Sequence, residues 1–384
     1  LTYIDLFCGI GGFHQALRSL GAKCVLACDI DKKCREVYKE NYGIEPKPDV
    51  TTLDSRDIPN FDILCGGFPC QAFSHAGQQN GFDDTRGTLF RDICRILREK
   101  TPKYFLLENV KNLRGHDGGN TWRTIYKSIT DSGYMTYETP VVISPHYLGI
   151  PQHRERVIIM GWRNDMVPPS GLPVIPTLSP VPVNIKSILS DDVPDITKLS
   201  VNDTECMNLW EEFVIYFKNS NIKLPTFPIW SDEWDKTDRL DHFPAWKQKF
   251  IRQNRELFDT HKSFLEDWVA RARQCKSFVG AKRKLEWQAG SFHANDSVWN
   301  MIFQFRPSGI RIKRATYSPA LVAMSQIVYI GEKRRKLTPR EVARLQSFPE
   351  DFKIATSATL AYKQFGNSVN VEVIKYAAKI LLNI

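Results

Sequence analysis

Short apolar runs alternate with stretches whose apolar positions recur every three or four residues along the amino-terminal part of the chain. Thr2–Phe7 reads as a buried strand. Gly9, Gly11 and Gly12 read as a turn, and Phe13–Leu20 as a helix that Gly21 stops. Cys24–Cys28 is the next strand and Asp31–Asn41 the next helix. Phe61–Cys65 and Tyr104–Leu107 read as central strands, with helical spacing over Gly87–Arg98 between them, and Arg156–Trp162 as a later strand of the same sheet. This alternation predicts an α/β fold, a parallel sheet with helices on both faces.

The pattern changes after Trp162. Pro168–Pro182 is proline-rich and predicts an extended linker. Eight of the nine tryptophans, all but Trp122, lie from Trp162 to Trp299, which predicts a mostly folded region rather than a tail. Charge divides that region. Asp191–Ala270 holds 10 Lys/Arg against 16 Asp/Glu, whereas Arg271–Ala320 holds 10 against 2. With a net charge of +9 and a pI of about 9.0, the chain suits a polyanionic partner. The basic stretch is where nucleic acid is expected, and the acidic one should face away from it.

Nine cysteines, an odd number without short paired spacings, argue against a disulfide framework or a zinc site. They point to a reducing, intracellular setting with no metal. No apolar run approaches the ~18 residues of a membrane span, and no charged-then-apolar leader is present. The sequence opens at Leu1 directly on a strand-like run, so an initiating Met or a short leader is expected upstream.

Five stretches point to chemistry. In Asp5-Leu-Phe-Cys-Gly-Ile-Gly-Gly-Phe13, glycines follow a first strand, where the backbone can approach a nucleotide-like ligand. Asp29, at the end of the second strand, can accept from ribose hydroxyls. A nicotinamide dehydrogenase is the alternative, but its glycines are spaced for a pyrophosphate, and this loop is not. Gly66-Gly-Phe-Pro-Cys-Gln-Ala-Phe-Ser74 places Cys70 after a central strand, where α/β folds bind ligands. Most cysteines are small buried hydrophobes, and Cys65 fits that description. The Pro-Cys-Gln context of Cys70 on a turn sets it apart. Glu108-Asn-Val110 ends another strand, and burial there should raise the carboxyl pKa, as suits an acid facing a ring nitrogen. Gln152-His-Arg-Glu-Arg156 offers two arginines on one face, and Gln364-Phe-Gly-Asn-Ser-Val369 follows a capped helix beginning at Thr338-Pro339.

Taken together, these ordered motifs resemble the cytosine-5 DNA methyltransferase family, especially the bacterial modification enzymes. The matching stretches are Gly67–Ser74, Asp84–Phe90, Glu108–Val110, Pro151–Arg156 and Ala361–Val369. The resemblance implies a Rossmann-like, S-adenosylmethionine-dependent methyltransferase sheet completed by a segment returning from the carboxy terminus. A smaller target-recognition domain is inserted between the two parts. The expected division is 1–180 catalytic, 185–330 target recognition, and 331–384 hinge and return.

By the same resemblance, Cys70 is the nucleophile, Glu108 contacts the cytosine N3 edge, and Arg154 and Arg156 serve the cytosine site. Phe7, Gly9, Gly11, Asp29, Ile30, Asp49, Val50, Pro69, Leu89 and Asn367 line the cofactor site. Cys8 and Ile30 stand where the family more often has a small residue and an aromatic, and Asp29 where glutamate is commoner. For DNA contact the expectations are Gln71, Ser74, Arg306, Arg311, Lys313 and Arg314.

The implied reaction is methyl transfer to carbon 5 of a flipped-out cytosine in duplex DNA through a covalent adduct at carbon 6. The enzyme is expected to act as a monomer on DNA, in a restriction-modification setting with a cognate endonuclease. An RNA (tRNA) cytosine-5 methyltransferase and a non-catalytic DNA-binding relative are the rival readings. Comparing DNA with tRNA as methyl acceptor, and assaying methyl incorporation, separates them.

Overall fold

The computed structural model describes residues 1–69, 88–321 and 326–384. The chain divides into two compact units, Leu1–Val183 with Pro319–Met324 and Pro339–Ile384, and Asn184–Ser318 with Ser325–Thr338. In the first unit the strands are β1 (Thr2–Leu6), β2 (Lys23–Cys28), β3 (Ile63–Gly67), β4 (Tyr104–Val110), β5 (Tyr134–Thr136), β6 (Val141–Ile143), the two-residue β7 (Gln152–His153) and β8 (Arg156–Arg163). Between them lie helices α1 (Gly12–Ser19), α2 (Lys32–Tyr42), α3 (Thr88–Lys100) and α4 (Asn120–Asp131). The sheet order is β2-β1-β3-β4-β8-β5, with β6 also on β8.

Strands β1 to β4 are parallel, but β8 runs antiparallel to β4, β5 and β6. The sheet is therefore mixed, which corrects the all-parallel expectation. A parallel return needs a crossover, usually helical. The stretch between β6 and β8 contains no α-helix, so the chain turns back on itself.

Side chains alternate across the sheet. Ile4, Leu6, Leu64, Phe105, Leu107, Val157 and Ile159 pack against Ile93 and Leu97 of α3 and Ile125 and Ile129 of α4. Asp31 caps α2 by accepting from the Lys33 and Cys34 backbone N–H groups, and Gly43 closes it in a left-handed conformation. Residues Pro168–Pro182 run without helix or strand.

The second unit contains α5 (Val201–Asn219), β9 (Ile229–Trp230), α6 (Ala245–Thr260), α7 (Lys262–Ala272), β10 (Lys284–Trp287), β11 (Met301–Arg306), β12 (Gly309–Arg314), β14 (Tyr329–Ile330) and β15 (Arg335–Lys336), and the short β13 (Ser318–Pro319) falls at its boundary. Its sheet runs β15-β14-β11-β12-β10-β9. Leu285, Trp287, Met301, Phe303, Ile310 and Ile312 bury one face against Trp210 and Phe213 of α5 and Trp268 of α7. Alternation turns Glu286, Gln304, Arg306, Arg311 and Lys313 to the other face. The acidic stretch thus supplies the helices on one side of this sheet, and the basic stretch supplies its strands β10, β11 and β12.

The chain then returns to the first unit as α8 (Pro339–Leu345), α9 (Ala358–Asn367) and α10 (Val371–Leu382). Helix α10 packs against β4 and β8 and against α1, covering the sheet face opposite α3 and α4. The last part of the second unit ends at Thr338, where β14 pairs with β15 and the Leu337 N–H donates to the Val328 carbonyl. Among the described residues, no helix is long and apolar enough to cross a membrane.

Candidate active site

The loop leaving β1 is bent by left-handed residues at Phe7 (φ 55°), Gly9 (φ 53°) and Gly11 (φ 90°). A side chain at Gly11 would collide with the ring of Tyr42, whose hydroxyl donates to the Ile10 and Gly11 carbonyls at 3.1 and 3.2 Å. At Gly9 a Cβ would meet nothing within 4 Å, so this side of the loop is open. Phe7 has no such freedom, and its left-handed backbone costs about 1 kcal/mol or more, which suits a loop shaped for a ligand.

Asp29 holds this loop. Its Oδ2 accepts from the Gly9 N–H at 2.7 Å and its Oδ1 from the Asp31 N–H at 2.8 Å. Burial pushes the Asp29 pKa up, and those two backbone donors pull it down. The carboxylate is therefore a loop tie, and the sequence expectation gives it ribose hydroxyls as further donors. Each oxygen keeps a second lone pair for that use.

Next to it Ile30 is 80% exposed, an apolar surface on which an adenine ring can lie. Asp49 accepts from the Thr51 N–H and hydroxyl at 2.9 and 2.8 Å, fixing the turn of buried Val50. Half-buried Leu89 packs on the core that contains Val50. Pro69 is exposed. An open glycine turn, a carboxylate and an exposed apolar side chain fit an adenosyl group.

Glu108 and Arg156 meet at the end of β4. Register pairs Glu108 with Ile158 and Val110 with Arg156, so the two side chains are diagonal neighbours on one face. Arg156 Nε donates to Glu108 Oε1 at 2.9 Å, with side-chain exposures of only 18% and 13%. Burial raises the Glu108 pKa, against the pull of Arg156 and then Arg154. Glu108, Pro145, Arg154, Arg156, Val369 and Asn370 line a small cavity there.

Arg154 behaves differently from its neighbour. It is 3% exposed and donates from Nη1 to the Leu321 carbonyl (3.1 Å) and from Nη2 to the Gly366 (3.0 Å) and Ser368 (2.8 Å) carbonyls. Burial, then Arg156, lowers its pKa to about 9. The paired-arginine expectation is therefore corrected. Arg156 faces the carboxyl group, while Arg154 is a backbone clamp on the segment containing Asn367.

That segment lies against the β1 loop. Val369 Cγ2 occupies the place a Cβ on Gly12 would need, and Gln364 Nε2 donates to the Lys33 carbonyl at 3.2 Å. Asn367, distant in sequence from the β1 loop, is exposed at the end of α9 within this segment.

Two positioning residues went unnoticed in the sequence. Asn109 is buried and its Nδ2 donates to the Phe68 carbonyl at 2.9 Å, tying β4 to the residue just before Pro69. Ser144 accepts from the Arg154 N–H at 2.9 Å and pairs with His146 at 2.8 Å. Asn109 follows Glu108 directly, and a polar residue at a buried strand end was the available signal. Ser144 gave none.

Cys70, Gln71 and Ser74 lie outside the described residues. In the second unit, Arg306 and Arg311 share Glu286, and Lys313 Nζ lies 4.7 Å from the Tyr317 ring centre. Arg314 makes intramolecular bonds. Both its terminal nitrogens bond Asp296 at 2.9 Å and one also donates to the Ser291 carbonyl at 2.7 Å, so it holds a loop.

Residues 1–383 match the family described as C-5 cytosine-specific DNA methylase. The chain is 34% identical to the type II methyltransferase M.HhaI of Haemophilus parahaemolyticus, covering 98% of this chain and 93% of that protein. It is 33% identical to the type II methyltransferase M.AluI of Cellulosimicrobium cellulans, covering 98% and 90%. The fold matches a putative prophage DNA modification methyltransferase from E. coli with a TM-score of 0.60 at 22% identity, over 100% of this chain and 99% of that one. It also matches a DNMT2 mutant from Spodoptera frugiperda, with a TM-score of 0.58 at 21% identity, over 99% of each chain. The family's methyl donor is S-adenosylmethionine. The ordered motifs, the sheet they build and the full-length match lead to one conclusion: this chain belongs to the C-5 cytosine-specific DNA methylases and is a DNA cytosine-5 methyltransferase.

Proposed function

We propose that the chain is the modification enzyme of a type II restriction-modification system, with Cys70 as nucleophile and the Glu108–Arg156 pair as its cytosine-facing acid site. The reading rests chiefly on the half-buried Glu108–Arg156 contact at the end of β4. It is supported by the names of the relatives, which are type II methyltransferases. A cognate endonuclease recognising the same sequence is part of this reading.

Carbon 5 of cytosine is a poor nucleophile. Addition of the Cys70 thiolate at carbon 6 moves electron density to carbon 5 and onto the N3 edge, where Glu108 in its acid form donates. Arg156 holds the Glu108 carboxyl in place. S-adenosylmethionine, when bound, supplies the methyl group. Phe7, Gly9, Gly11, Asp29, Ile30, Asp49, Val50, Pro69, Leu89 and Asn367 would hold it. Loss of the carbon 5 proton then expels Cys70 and restores the aromatic ring. A base stacked in duplex DNA must first rotate out, at a cost of a few kcal/mol.

Bisulfite sequencing of DNA from cells expressing the protein should reveal protected cytosines in one short sequence context. Complete conversion at every site would refute the proposal.

Glu108→Gln should lower kcat by about 10²- to 10⁴-fold, because the amide can still donate but cannot transfer a proton. The pH profile gives the sign. Burial raises the Glu108 pKa, so the acid form persists above the ordinary glutamate range and disappears as pH rises through the raised value. In the wild type, kcat/KM should therefore fall on that alkaline limb, and in Glu108→Gln the limb should be absent. An identical limb in both proteins would assign it to another group. Stability follows the same sign. The contribution of the neutral form is complete below the ordinary value and is lost as pH climbs through the raised one.

A further inference from the structure

The basic stretch Arg271–Ala320 has only two carboxylates, Glu286 and Asp296. Asp296 is occupied by Arg314. Glu286 stands on the sheet face opposite the core, since its neighbours Leu285 and Trp287 are the buried residues of β10. A lone carboxylate among cations repels phosphate, so its place on this face needs a reason.

Its contacts supply one. Arg311 donates to Glu286 Oε2 from Nε at 2.8 Å and from Nη2 at 2.7 Å. Arg306 Nη1 reaches the same oxygen at 3.5 Å, while its Nε lies 3.4 Å from Gln326 Oε1. Gln326 is in turn anchored by Gln304, whose Nε2 donates to its backbone carbonyl at 2.8 Å. One carboxylate thus lets two guanidinium groups stand side by side, where alone they would repel. Register places Glu286 and Gln304 opposite Arg311 on its two flanking strands, so rigid sheet backbone sets the geometry. Among the described residues, Arg311 Nη1 and Arg306 Nη2 have no partner. Side-chain exposures of 25% and 24% leave both within reach of solvent.

We propose that Glu286 is a specificity-positioning residue, aligning Arg311 and Arg306 so that their remaining N–H groups read a guanine edge in the major groove. This rests on the reading of the chain as a sequence-specific DNA methylase. Arginine recognises guanine O6 and N7 with two parallel donors, and a guanidinium held along its inner edge keeps its outer edge free for that. An arginine serving only a phosphate needs no such alignment.

The test uses the full-length enzyme and a pool of duplexes in which the base pairs flanking a central cytosine are random, with methylation read by bisulfite sequencing. Arg311→Lys should reduce the preference for guanine at one position by about 5- to 150-fold, with little change in the salt slope. Glu286→Gln should weaken the preference at that same position. By removing a negative charge from this face, it should also tighten binding to non-specific duplex, a change that a purely structural role would not produce. Both side chains are partly exposed, so thermal unfolding should stay close to wild type. Unchanged preference in both variants, or a salt slope reduced by about one without loss of preference, would overturn the inference and leave the methylase reading intact. A wild-type enzyme that methylated no duplex would overturn that underlying reading, and this one with it.

Discussion

Cys70→Ser should lose methyl transfer, with kcat falling by about 10⁴-fold or more, while duplex DNA is still bound. The reason lies in acidity. A free thiol with a pKa near ~8.5 offers a few per cent thiolate at neutral pH, and a serine hydroxyl offers essentially no alkoxide. The other cysteines of the first unit cannot take over. Burial pushes the thiols of Cys8 and Cys65 well up, those of Cys24, Cys28 and Cys34 to about 12, and that of Cys94 to about 11. Cys65 also donates to the Ile4 carbonyl at 3.1 Å. Two measurements decide the matter. Labelled methyl incorporation should vanish in the variant. A duplex with fluorine at carbon 5, which cannot lose a proton there, should trap a covalent complex with wild type and none with Cys70→Ser. A variant turning over within tenfold of wild type would end the covalent account.

Part of the first unit was legible because apolar alternation and glycine stops are local signals: β1 to β4 and β8 lie within two or three residues of the expected strands, whereas α4 and the short β5, β6 and β7 gave no such signal. Strand direction was not legible. Nothing in Arg156–Trp162 reveals that β8 runs against β4, since direction depends on the connection before it. The same limit applies to the charges. Gln152–Arg156 displays two arginines two residues apart, yet one meets a carboxyl group and the other three carbonyls.

Arg306 and Arg311 showed themselves as a basic cluster, but their shared partner Glu286 is 20 and 25 residues away. Motif resemblance could mark Glu108 and Asn367 as site residues. Only the fold shows that Arg154 bonds the carbonyls on either side of Asn367.

That clamp makes the second large prediction. Arg154→Met should destabilise the protein by about 3–5 kcal/mol, the usual loss when one member of a buried charged network is removed. Three carbonyls, at Leu321, Gly366 and Ser368, lose a charged donor in a site that water reaches poorly. Removing a buried guanidinium also relieves its own desolvation, which burial has already expressed by lowering its pKa to about 9. The two effects oppose each other, and the three stranded carbonyls should win. The damage should be local first. Amide exchange at Val371, whose N–H donates to the Gln346 carbonyl, should accelerate more than exchange in β1 or β3. Adenosylmethionine should bind about tenfold more weakly, because Asn367 sits between two released carbonyls. Arg154→Lys, with one charged donor group in place of the fork, should recover part of the stability and little of the binding. Stability within about 0.5 kcal/mol of wild type in Arg154→Met would show that α9 and α10 hold the return segment without the clamp.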